Sequence, residues 1–473
     1  MCIRDRRSGT DVALLNAMMK VILDEGLADE DFIEERTENF AEFRAILEQS
    51  DLESAARITG VPAEDIRRAA RMFAGAERAS VIFAMGITQH TTGSDNVFAL
   101  ANLAMLTGNV GKESSGVNPL RGQNNVQGAC DLGALPDVLP GYQKVDDPAA
   151  RGKFEEAWGV PLPDEPGLTV VEMMNAAHEG RVKAMYIMGE NPMLSDPDLT
   201  HVGEGLKNLD FLCVQDIFLS ETAQLADVAL PAACFAEKDG AFTSTERRVQ
   251  RIRKAVAPPG AARPDWRIIC DLSGRMGYEM RYDHPSQIMD EMAALTPIYG
   301  GISYDRLEPY GLQWPCPDAE HPGTVFLHEG GFARGLGKFH PTPFREAAEL
   351  PDDEYPFILT TGRFLYHFHT GTLTRRTEGL EEISPPAPFE IHPRDAASEG
   401  IREGDVVELS TRRGAVRARA VVTERSRPGT IFMPFHFREA PANVLTNPAL
   451  DPIAKIPELK VCAVKLEKLR EMG

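Results

Sequence analysis

The sequence lacks a long apolar run and an excess of positive charge, and each absence excludes a class of protein. Its longest apolar stretch, residues 98–106, is interrupted by Asn102 and is too short to cross a bilayer as a helix. Lys and Arg number 50 against 71 Asp and Glu, which gives a net charge of -21. Nucleic-acid binding draws its affinity from clustered cations. We therefore expect a soluble, cytoplasmic protein with no membrane span and no nucleic-acid partner.

The sequence also lacks paired cysteines. None of the seven cysteines forms a C-x2-C or C-x3-C pair, and they stand at positions 2, 130, 213, 234, 270, 316 and 462. Scattered cysteines of odd number are typical of reduced thiols in a cytoplasmic protein. The spacing excludes a self-contained zinc or iron–sulfur site built on local cysteines, so no metal ligand is predicted in this chain.

What is present indicates a globular protein of two to four domains, since 473 residues exceed one ordinary core and 43% of them are apolar. Residues 10–25 carry apolar positions at helical spacing and predict a helix. Residues 80–85 form a short apolar run bounded by Gly86, which predicts a buried strand. A further helix is predicted over 97–106 and stops at Gly108.

Two strand-and-loop units follow. Residues 184–188 and 211–215 are apolar runs about 27 residues apart with a helical segment between them, which is the spacing of a βαβ unit. Parallel sheets bind ligands at the carboxyl ends of their strands, so ligand contacts are expected in loops 86–93, 189–191 and 216–222. Any α/β protein has such loops, so none of them identifies a site by itself.

The last third of the chain changes its periodicity. Pro- and Gly-rich stretches occupy 136–167 and 315–356, and the second is predicted to be an interdomain linker. Beyond it, strand-like runs cover 357–361 and 430–437, with a hairpin over 406–422. The C-terminal domain is therefore predicted to be mostly β and to close into a barrel, which removes exposed strand edges.

The most unusual segment is residues 118–131, which is nearly devoid of apolar side chains. Glycines at 122 and 128 would let the backbone approach a ligand closely. Arg121 is the only cation, and a guanidinium among neutral amides suits a bidentate grip on a small carboxylate. A lone loop arginine is more often a surface residue, so composition alone leaves both readings open. The neutral donors and acceptors around it are Gln123, Asn124, Asn125 and Gln127.

Residues 121–131, Arg-Gly-Gln-Asn-Asn-Val-Gln-Gly-Ala-Cys-Asp, closely resemble a segment of formate dehydrogenases of the molybdopterin-guanine-dinucleotide family. The resemblance extends from about residue 9 to residue 464. The other motifs that carry it are 85–93, 106–111, 189–192, 214–218, 226–231, 361–371, 433–437 and 443–464.

The resemblance implies a fold and a cofactor. The fold is α/β, with Rossmann-like doubly wound parallel sheets (the molybdopterin oxidoreductase fold) and a C-terminal double-psi β-barrel domain. Residues 1–125 would be the remainder of a first pterin-dinucleotide-binding α/β domain. Residues 126–330 would form a second α/β molybdopterin oxidoreductase domain, and 350–473 the C-terminal molybdopterin dinucleotide-binding barrel. The cofactor would be bis-molybdopterin guanine dinucleotide carrying molybdenum or tungsten.

The resemblance and the chemistry of that cofactor assign the expected contacts. Diphosphates favour backbone N–H groups, and guanine favours a carboxylate at its N1–H edge, which Asp216 at a strand end is predicted to supply. Arg363 is predicted to pair with phosphate, and His367, His369 and Thr370 to donate to the pterin. Alternatively, the histidines satisfy hydrogen bonds of the core. The remaining predicted contacts are Gly86, Thr88, Gln89, Gln123, Gly189, Glu190, Asn191, Thr222, Asp227, Gly362, Asn443 and Lys460.

By the same resemblance Arg121 is the catalytic residue. It would hold the formate carboxylate while the cofactor supplies the two-electron oxidation to CO2. One alternative is another pterin-dinucleotide oxidoreductase such as a nitrate reductase, against which the Arg121 segment argues. The other is a non-catalytic scaffold subunit like that of respiratory complex I, which would have little reason to keep Arg121, His367 and His369.

The sequence departs from the family in one respect. Family members carry a Cys–His or selenocysteine–His metal ligand and a four-cysteine cluster site before the first motif, and neither stands here. Cys2 precedes Ile3, and Cys130 is expected to be packed rather than metal-bound. We expect an N-terminally truncated chain with residues 1–7 not native, the iron–sulfur cluster in the missing part, and little activity alone. Partner subunits with iron–sulfur or flavin groups are expected; the electron acceptor and the metal stay open.

Overall fold

The computed structural model describes residues 6–384 and 388–469. The chain divides into two compact units. The first comprises Met1–Leu120, Leu194–Thr200 and Phe326–Gly473, and the second Arg121–Met193 and His201–Val325. The predicted domains 1–125, 126–330 and 350–473 stay a prediction, and the prediction for Cys2 lies outside the described residues.

The helices lie mainly in the first two thirds of the chain. Within the described residues, no helix combines the length and the apolarity needed to cross a membrane. In chain order the helices are α1 Asp11–Asp24, α2 Glu30–Arg36, α3 Phe40–Glu48, α4 Leu52–Thr59, α5 Ala63–Ala74, α6 Met85–Thr88, α7 Gly93–Leu106, α8 Val126–Asp131, α9 Pro148–Trp158, α10 Val170–His178, α11 Pro192–Ser195, α12 Leu199–Lys207, α13 Asp265–Arg275, α14 Pro285–Leu295, α15 Glu378–Ile383 and α16 Pro393–Ser398.

The strands are short and form several separate sheets. In chain order they are β1 Thr37–Glu38, β2 Ser80–Phe83, β3 Gly116–Pro119, β4 Val138–Leu139, β5 Gln143–Lys144, β6 Ala184–Met188, β7 Phe211–Asp216, β8 Val228–Pro231, β9 Gly240–Thr243, β10 Arg248–Ile252, β11 Leu312–Gln313, β12 Gly337–Lys338, β13 Phe357–Gly362, β14 Pro388–Ile391, β15 Val406–Ser410, β16 Ala415–Val422, β17 Thr430–Pro434, β18 Asn447–Leu450, β19 Pro457–Glu458 and β20 Cys462–Lys468.

Helix α1 confirms the helix that apolar spacing predicts after residue 10. Its residues Leu15, Met19 and Ile22 are buried in the main core of the first unit. Thr10 does not cap the helix with its side chain, because its Oγ1 donates to the Arg7 carbonyl oxygen at 2.6 Å.

Helix α7 is confirmed but begins at Gly93, earlier than its predicted start at residue 97. A Cβ on Gly93 would stand 2.1 Å from the Thr88 carbonyl oxygen, so only glycine fits this start. Asn102, which interrupts the apolar run, is fully buried and pairs with the backbone of His340 through Nδ2 to O at 2.7 Å and N to Oδ1 at 3.1 Å. The polar side chain thus satisfies a backbone segment inside the core.

Strand β2 corrects the prediction of a buried strand over 80–85. The strand exists, but it ends at Phe83, and Ile82 is 65% exposed. Within the described residues β2 pairs only with β3, in parallel, so the sheet has two strands. Val81 and Phe83 face the helical core while the other face of the sheet is uncovered. An apolar run therefore predicted the strand correctly and its burial wrongly.

The predicted linker 315–356 is also corrected in part. Strand β12 pairs in parallel with β1, and Phe339 is fully buried with its ring stacked on Phe43 at 4.8 Å. The side chain of Asn16 donates to the Thr342 carbonyl oxygen at 2.7 Å. The chain passes from the second unit to the first inside this stretch, between Val325 and Phe326, so the stretch does connect the units. Residues 337–342, however, pair and pack within the first unit.

The predicted βαβ unit is confirmed in the second unit of the chain. Strands β6, β7 and β8 form a parallel sheet in that order, with Ala184 opposite Phe211 and Gln215 opposite Leu230. Their core consists of Met174, Ile187, Val202, Leu206, Leu212, Val214 and Ala223. Because the strands are parallel, the loops after β6 and β7 leave the sheet at the same edge.

The predicted closed barrel is confirmed in the first unit. Its strands follow the order β13-β17-β14-β16-β15-β20, and the predicted hairpin over 406–422 is β15 paired antiparallel with β16. The strand predicted over 430–437 ends at Pro434. Alternate side chains such as Leu359, Leu409 and Val464 are fully buried and fill the interior. Closure pairs every edge strand, which removes the edges that an open sheet would expose.

Candidate functional site

Arg121 is held at its backbone and at one edge of its side chain. Its main-chain N–H donates to Thr245 Oγ1 at 2.7 Å, and its Nε–H donates to Gln127 Oε1 at 3.1 Å. The residue is exposed. Its Nη1 and Nη2 make no hydrogen bond to any residue that the structure describes. The guanidinium is therefore oriented through Nε while its two terminal nitrogens are available to an acceptor.

Gln127 connects Arg121 to a buried carboxylate. Its Nε2 donates to Asp131 Oδ1, one turn further along α8, at 2.7 Å. Asp131 is 0% exposed and also accepts from the hydroxyls of Tyr142 at 2.7 Å and Tyr299 at 2.6 Å. Burial, followed by the effects of this carboxylate, raises the pKa of both tyrosine hydroxyls. Both tyrosines therefore remain proton donors at neutral pH. Sequence reasoning missed this network, although Asp131 stood inside the quoted motif.

Asn125 and Gly128 fix the conformation of their own loop, and the ligand contacts expected of them stay a prediction. Asn125 adopts a left-handed backbone with φ of 63°, and its Oδ1 accepts from Thr243 N at 2.9 Å. A Cβ on Gly128 would stand 2.2 Å from that same Oδ1. Glycine is thus required by the Asn125 side chain. Of the other predicted amides, Gln123 is half-buried and Asn124 is exposed.

The edge of the parallel sheet brings four predicted contacts into two adjacent loops. Buried Asn191 accepts on Oδ1 from Thr222 N at 3.1 Å and from Thr222 Oγ1 at 2.7 Å, which joins the loops after β6 and β7. Asp216 Oδ1 accepts from Ile217 N at 2.6 Å. Burial raises the pKa of the Asp216 carboxyl, and the charge of Glu190 adds to the rise. Asn191, Asp216, Thr222 and Glu190 therefore lie together as expected.

Asp227 does not join them. It directly precedes β8, and its Oδ2 accepts from Leu212 N at the start of β7, at 2.7 Å. In a parallel sheet that position is the amino-terminal edge, opposite to the edge where Asp216 lies. The carboxylate is used to satisfy a strand N–H, so the structure separates Asp227 from the other predicted contacts.

Lys460 and Arg363 place two cations on the barrel. Lys460 Nζ donates to the Thr361 carbonyl oxygen at 2.6 Å. Burial, together with the charge of Arg363, lowers the pKa of Lys460 to about 8. Burial also lowers the pKa of Arg363. Neither cation has a carboxylate within ion-pair distance among the described residues. Gly362, which directly precedes Arg363, is required because a Cβ there would meet the Phe432 ring at 2.4 Å.

The barrel histidines divide into one that is satisfied and one that is not. His436 Nε2 accepts from Phe364 N at 2.8 Å and its Nδ1–H donates to the His369 carbonyl oxygen, so it is neutral. Burial lowers the pKa of His436 to about 4. The side chain of His367 is fully buried, and its Nδ1 lies 3.2 Å from Thr374 Oγ1. His367 Nε2 has no hydrogen-bond partner among the described residues, and Glu381 Oε2 lies 3.9 Å from it. Sequence reasoning quoted His436 within a motif but assigned it no role.

Asn443 and Thr370 have their polar atoms engaged inside the first unit. Asn443 is buried, and its Nδ2 donates to the carbonyl oxygens of Leu194 at 2.8 Å and Ser195 at 3.0 Å. Thr370 Oγ1 lies 3.0 Å from Thr372 Oγ1. Both side chains hold the local structure, and the cofactor contacts predicted for them stay predictions.

A buried pair, His90 with Glu458, fixes the loop that contains Gly86, Thr88 and Gln89. His90 Nδ1 lies 2.9 Å from Glu458 Oε1, and its Nε2 lies 3.0 Å from the Gly86 carbonyl oxygen. The Gln89 carbonyl oxygen accepts from Leu459 N at 3.3 Å. These contacts bring the predicted loop 86–93 next to the strand that leads to Lys460. Neither His90 nor Glu458 was singled out from the sequence.

Two family profiles match the chain. The one described as Molybdopterin oxidoreductase covers residues 5–275, and the one described as Molydopterin dinucleotide binding domain covers 357–463. The chain belongs to the molybdopterin oxidoreductase family. The second match coincides with the closed barrel that carries Arg363, His367 and Lys460, so these residues lie in the part of the family that binds the dinucleotide.

Relatives in this family cover nearly the whole chain. The F420-dependent formate dehydrogenase subunit alpha of Methanocaldococcus jannaschii is 56% identical over 98% of this chain and 69% of its own length. The F420-dependent formate dehydrogenase 2 subunit alpha of Methanococcus maripaludis is 51% identical over 98% and 68%. Formate dehydrogenase H of Escherichia coli is 42% identical over 98% and 66%. This molybdopterin oxidoreductase therefore spans about two thirds of each relative.

A solved structure shares its fold. Acetylene hydratase from Pelobacter acetylenicus matches 98% of this chain and 71% of its own, with a TM-score of 0.74 and 21% identity. Similarity at this level of identity shows the fold alone. It confirms the predicted molybdopterin oxidoreductase fold, with a closed six-stranded barrel in the C-terminal part.

The family implies a molybdopterin guanine dinucleotide cofactor, and the donors on the barrel fit it. Arg363 and Lys460 are cations with lowered pKa values and no carboxylate partner among the described residues, and buried His367 Nε2 has no hydrogen-bond partner there. Such donors suit diphosphate and pterin acceptors. Within the described residues no three His, Cys, Asp or Glu side chains are grouped as metal ligands. Cys130 is half-buried, and burial raises the pKa of its thiol.

Proposed function

We propose that this chain is the catalytic subunit of a formate dehydrogenase that oxidises formate to CO2. The observation that carries the proposal is Arg121, an oriented guanidinium whose Nη1 and Nη2 have no partner among the described residues. It stands in the segment 121–131, which resembles a segment of formate dehydrogenases. Relatives of up to 56% identity that bear this name support it.

The part that Arg121 plays is binding and orientation. When bound, a molybdenum or tungsten centre held by two molybdopterin guanine dinucleotides supplies the two-electron oxidation of formate to CO2 and a proton. Arg121 donates from Nη1 and Nη2 to the two formate oxygens as a charge-assisted pair. Because Gln127 holds Nε, the plane of the carboxylate follows the plane of the guanidinium, and the direction of the C–H bond is set.

The cofactor contacts we propose are drawn from each unit separately. On the barrel, Arg363 and Lys460 would pair with phosphate and His367 would donate from Nε2. At the sheet edge, Asp216 would accept from guanine, with Glu190 and the backbone of loop 189–191 beside it. Asp227 and Asn443 are left out because their polar atoms are engaged elsewhere. The other proposed contacts are Gly86, Thr88, Gln89, Gln123, Thr222, Gly362, His369 and Thr370.

Further aspects of the function follow from the names of the relatives. The two archaeal relatives are called alpha subunits, so we propose that partner subunits with iron–sulfur or flavin groups accept the electrons. We also propose a cytoplasmic location. A pull-down of the tagged chain from its own cells, with iron and flavin analysis of the co-purified subunits, tests the first point.

The function is tested by substituting Arg121 in the assembled enzyme. Arg121→Ala should lower kcat/KM for formate about a hundredfold or more with an artificial electron acceptor, as loss of a charge-stabilising donor does. Arg121→Lys should recover only part of the loss, because an ammonium cannot grip a carboxylate with a planar fork. Pterin and metal content should be unchanged in both.

Arg275→Ala, an exposed arginine of α13, is the matched control and should keep full turnover. Unchanged formate kinetics in Arg121→Ala would overturn the proposed function.

A further inference from the structure

Asp131 is a buried carboxylate that makes no ion pair among the described residues, and the side chains that donate hydrogen bonds to it are all neutral. The charge of Arg247 lies near enough to interact with it through space. Its two oxygens accept from Gln127 Nε2 at 2.7 Å, Tyr142 OH at 2.7 Å and Tyr299 OH at 2.6 Å. Tyr299 is itself 1% exposed and comes from a part of the chain 168 residues away. A buried carboxylate costs free energy unless it is fully hydrogen-bonded. Three donors at one side chain satisfy it and fix its position.

The Asp131 carboxylate determines the orientation of the Gln127 side-chain amide, that is, the positions of its oxygen and its nitrogen. A carboxylate only accepts hydrogen bonds, so the Gln127 group that meets Asp131 must be the NH2 group. Its carbonyl oxygen then points to the other neighbour, which is the Nε–H of Arg121 at 3.1 Å. With the amide reversed, its NH2 group would meet the Nε–H and two donors would face each other. The direction of the amide therefore follows from the charge of Asp131.

A tether at Nε leaves free the end-on edge of the Arg121 guanidinium, which is formed by Nη1 and Nη2. The guanidinium is planar, and its two Nη groups form the fork that matches a carboxylate. Arginine has a long side chain with many rotamers, and fixing Nε removes much of that freedom before substrate arrives. Gln127 is 6% exposed and Asp131 is 0% exposed, so neither reaches substrate itself.

We propose that Gln127 and Asp131 are positioning residues that orient Arg121 for formate. This inference rests on the proposed function. The hydrogen bonds act in series. The tyrosine hydroxyls hold Asp131 in place, and Asp131 orients the Gln127 amide. The amide oxygen then holds Nε of Arg121. Residues 121, 127 and 131 thus form one chain of hydrogen bonds, called the relay below. The orientation of Arg121 depends on the order of donors and acceptors in this relay as well as on the packing of the side chains.

The test exploits that order. In the assembled enzyme, Asp131→Asn allows the Gln127 amide to reverse, and Gln127→Glu places two carboxylates face to face. Each single substitution should lower kcat/KM for formate by ~10- to 100-fold, because the reacting group loses its orientation. Combined, Gln127→Glu with Asp131→Asn restores a consistent order: the new amide donates to the new carboxylate, which accepts from Nε. The net charge of the three residues is also the same as in the native chain.

The double variant should therefore recover at least half of the lost activity on a logarithmic scale. A role in packing alone would make it no better than the worse single variant, and that result would overturn the proposal. Melting temperature and pterin content of each variant show whether the chain has folded and loaded.

Gln313→Leu and Gln127→Leu form a matched pair. Gln313 is 8% exposed; its Oε1 accepts from Arg248 Nη2 at 3.3 Å and its Nε2 donates to the Glu246 carbonyl oxygen at 3.0 Å. Gln127→Leu should lower kcat/KM and raise the KM for formate, while Gln313→Leu should leave both unchanged. Equal effects of the two would overturn the relay. If Arg121→Ala itself keeps turnover, the proposed function fails; if only Gln127→Leu keeps turnover, the relay alone fails.

Discussion

Arg121 and Lys460 are both cations without a carboxylate partner among the described residues, yet the chain holds them in different ways. Arg121 is exposed and is oriented by the neutral amide of Gln127. Lys460 is partly buried against the Thr361 carbonyl oxygen, and burial lowers its pKa to about 8. An exposed, oriented cation suits a small anion that enters and leaves. A desolvated cation is unfavourable until an anion stays bound. The proposed function needs both: a substrate that exchanges and a cofactor that remains.

The largest effect that would sharpen this comparison is expected at Lys460. Lys460→Met keeps the length of the side chain and removes the charge, so the enzyme should lose cofactor affinity by ~10- to 100-fold, the value of a hydrogen bond to a charged group. The measurement is pterin and metal per chain after gel filtration. Lys465→Met, at a lysine with a side chain 43% exposed, is the control. Cofactor content as high in Lys460→Met as in Lys465→Met would contradict the assignment.

A smaller effect, on stability, is expected to distinguish Gly128, where packing leaves no room for a side chain, from Gly86, where there is room for a Cβ. In Gly128→Ala the new Cβ would stand 2.2 Å from Asn125 Oδ1, whereas in Gly86→Ala it would meet nothing within 4 Å. We expect Gly128→Ala to lower the free energy of unfolding of the second unit by about 1–3 kcal/mol, the usual cost of overpacking. Gly86→Ala should stay within about 0.5 kcal/mol of the native chain. Urea denaturation measures the free energy of unfolding of both variants. Equal values would show that the loop around Arg121 can adjust to the added Cβ at little cost.

The smallest effect is a pH dependence of the cofactor-free chain. The pKa of Lys460 falls from 10.5 to about 8 on folding. Between these values the unfolded chain binds more protons than the folded one, so the contribution of Lys460 to the free energy of unfolding rises with pH. Lys460→Met should remove this contribution. Urea midpoints of both chains at pH 8 and pH 10 test it, and parallel changes in the two would contradict the buried, unpaired lysine.

Patterns of period two and period 3.6 predicted several elements correctly. The barrel strands β15 and β16 alternate buried and exposed residues, and the hairpin between them was placed from the sequence. Helix α1 and the βαβ unit of β6, α12 and β7 were likewise predicted from local spacing. These succeed because the period of an element is set by its own backbone geometry, whatever surrounds it.

Tertiary properties were predicted less well. These are the burial of a strand and the end of a sheet at which a residue lies. The apolar run of β2 suggested a buried strand, yet Ile82 is 65% exposed because the described sheet has only two strands. Asp227 stands in a motif that carries the resemblance, but its carboxylate accepts from a strand N–H at the amino-terminal edge of the sheet. Residues 337–339 pair and pack within the first unit despite a composition typical of a linker. Each of these depends on which other segment lies alongside.

The sequence by itself determined the family, the barrel, and Arg121 as the only cation in a neutral amide segment, since composition and short motifs are local properties. Only the tertiary structure showed that Gln127 turns its amide inward to Asp131, and that Asp131 is met by the hydroxyl of Tyr299 from 168 residues away. The reason is physical. A hydrogen bond between distant segments depends on how the chain packs, and no local periodicity records it.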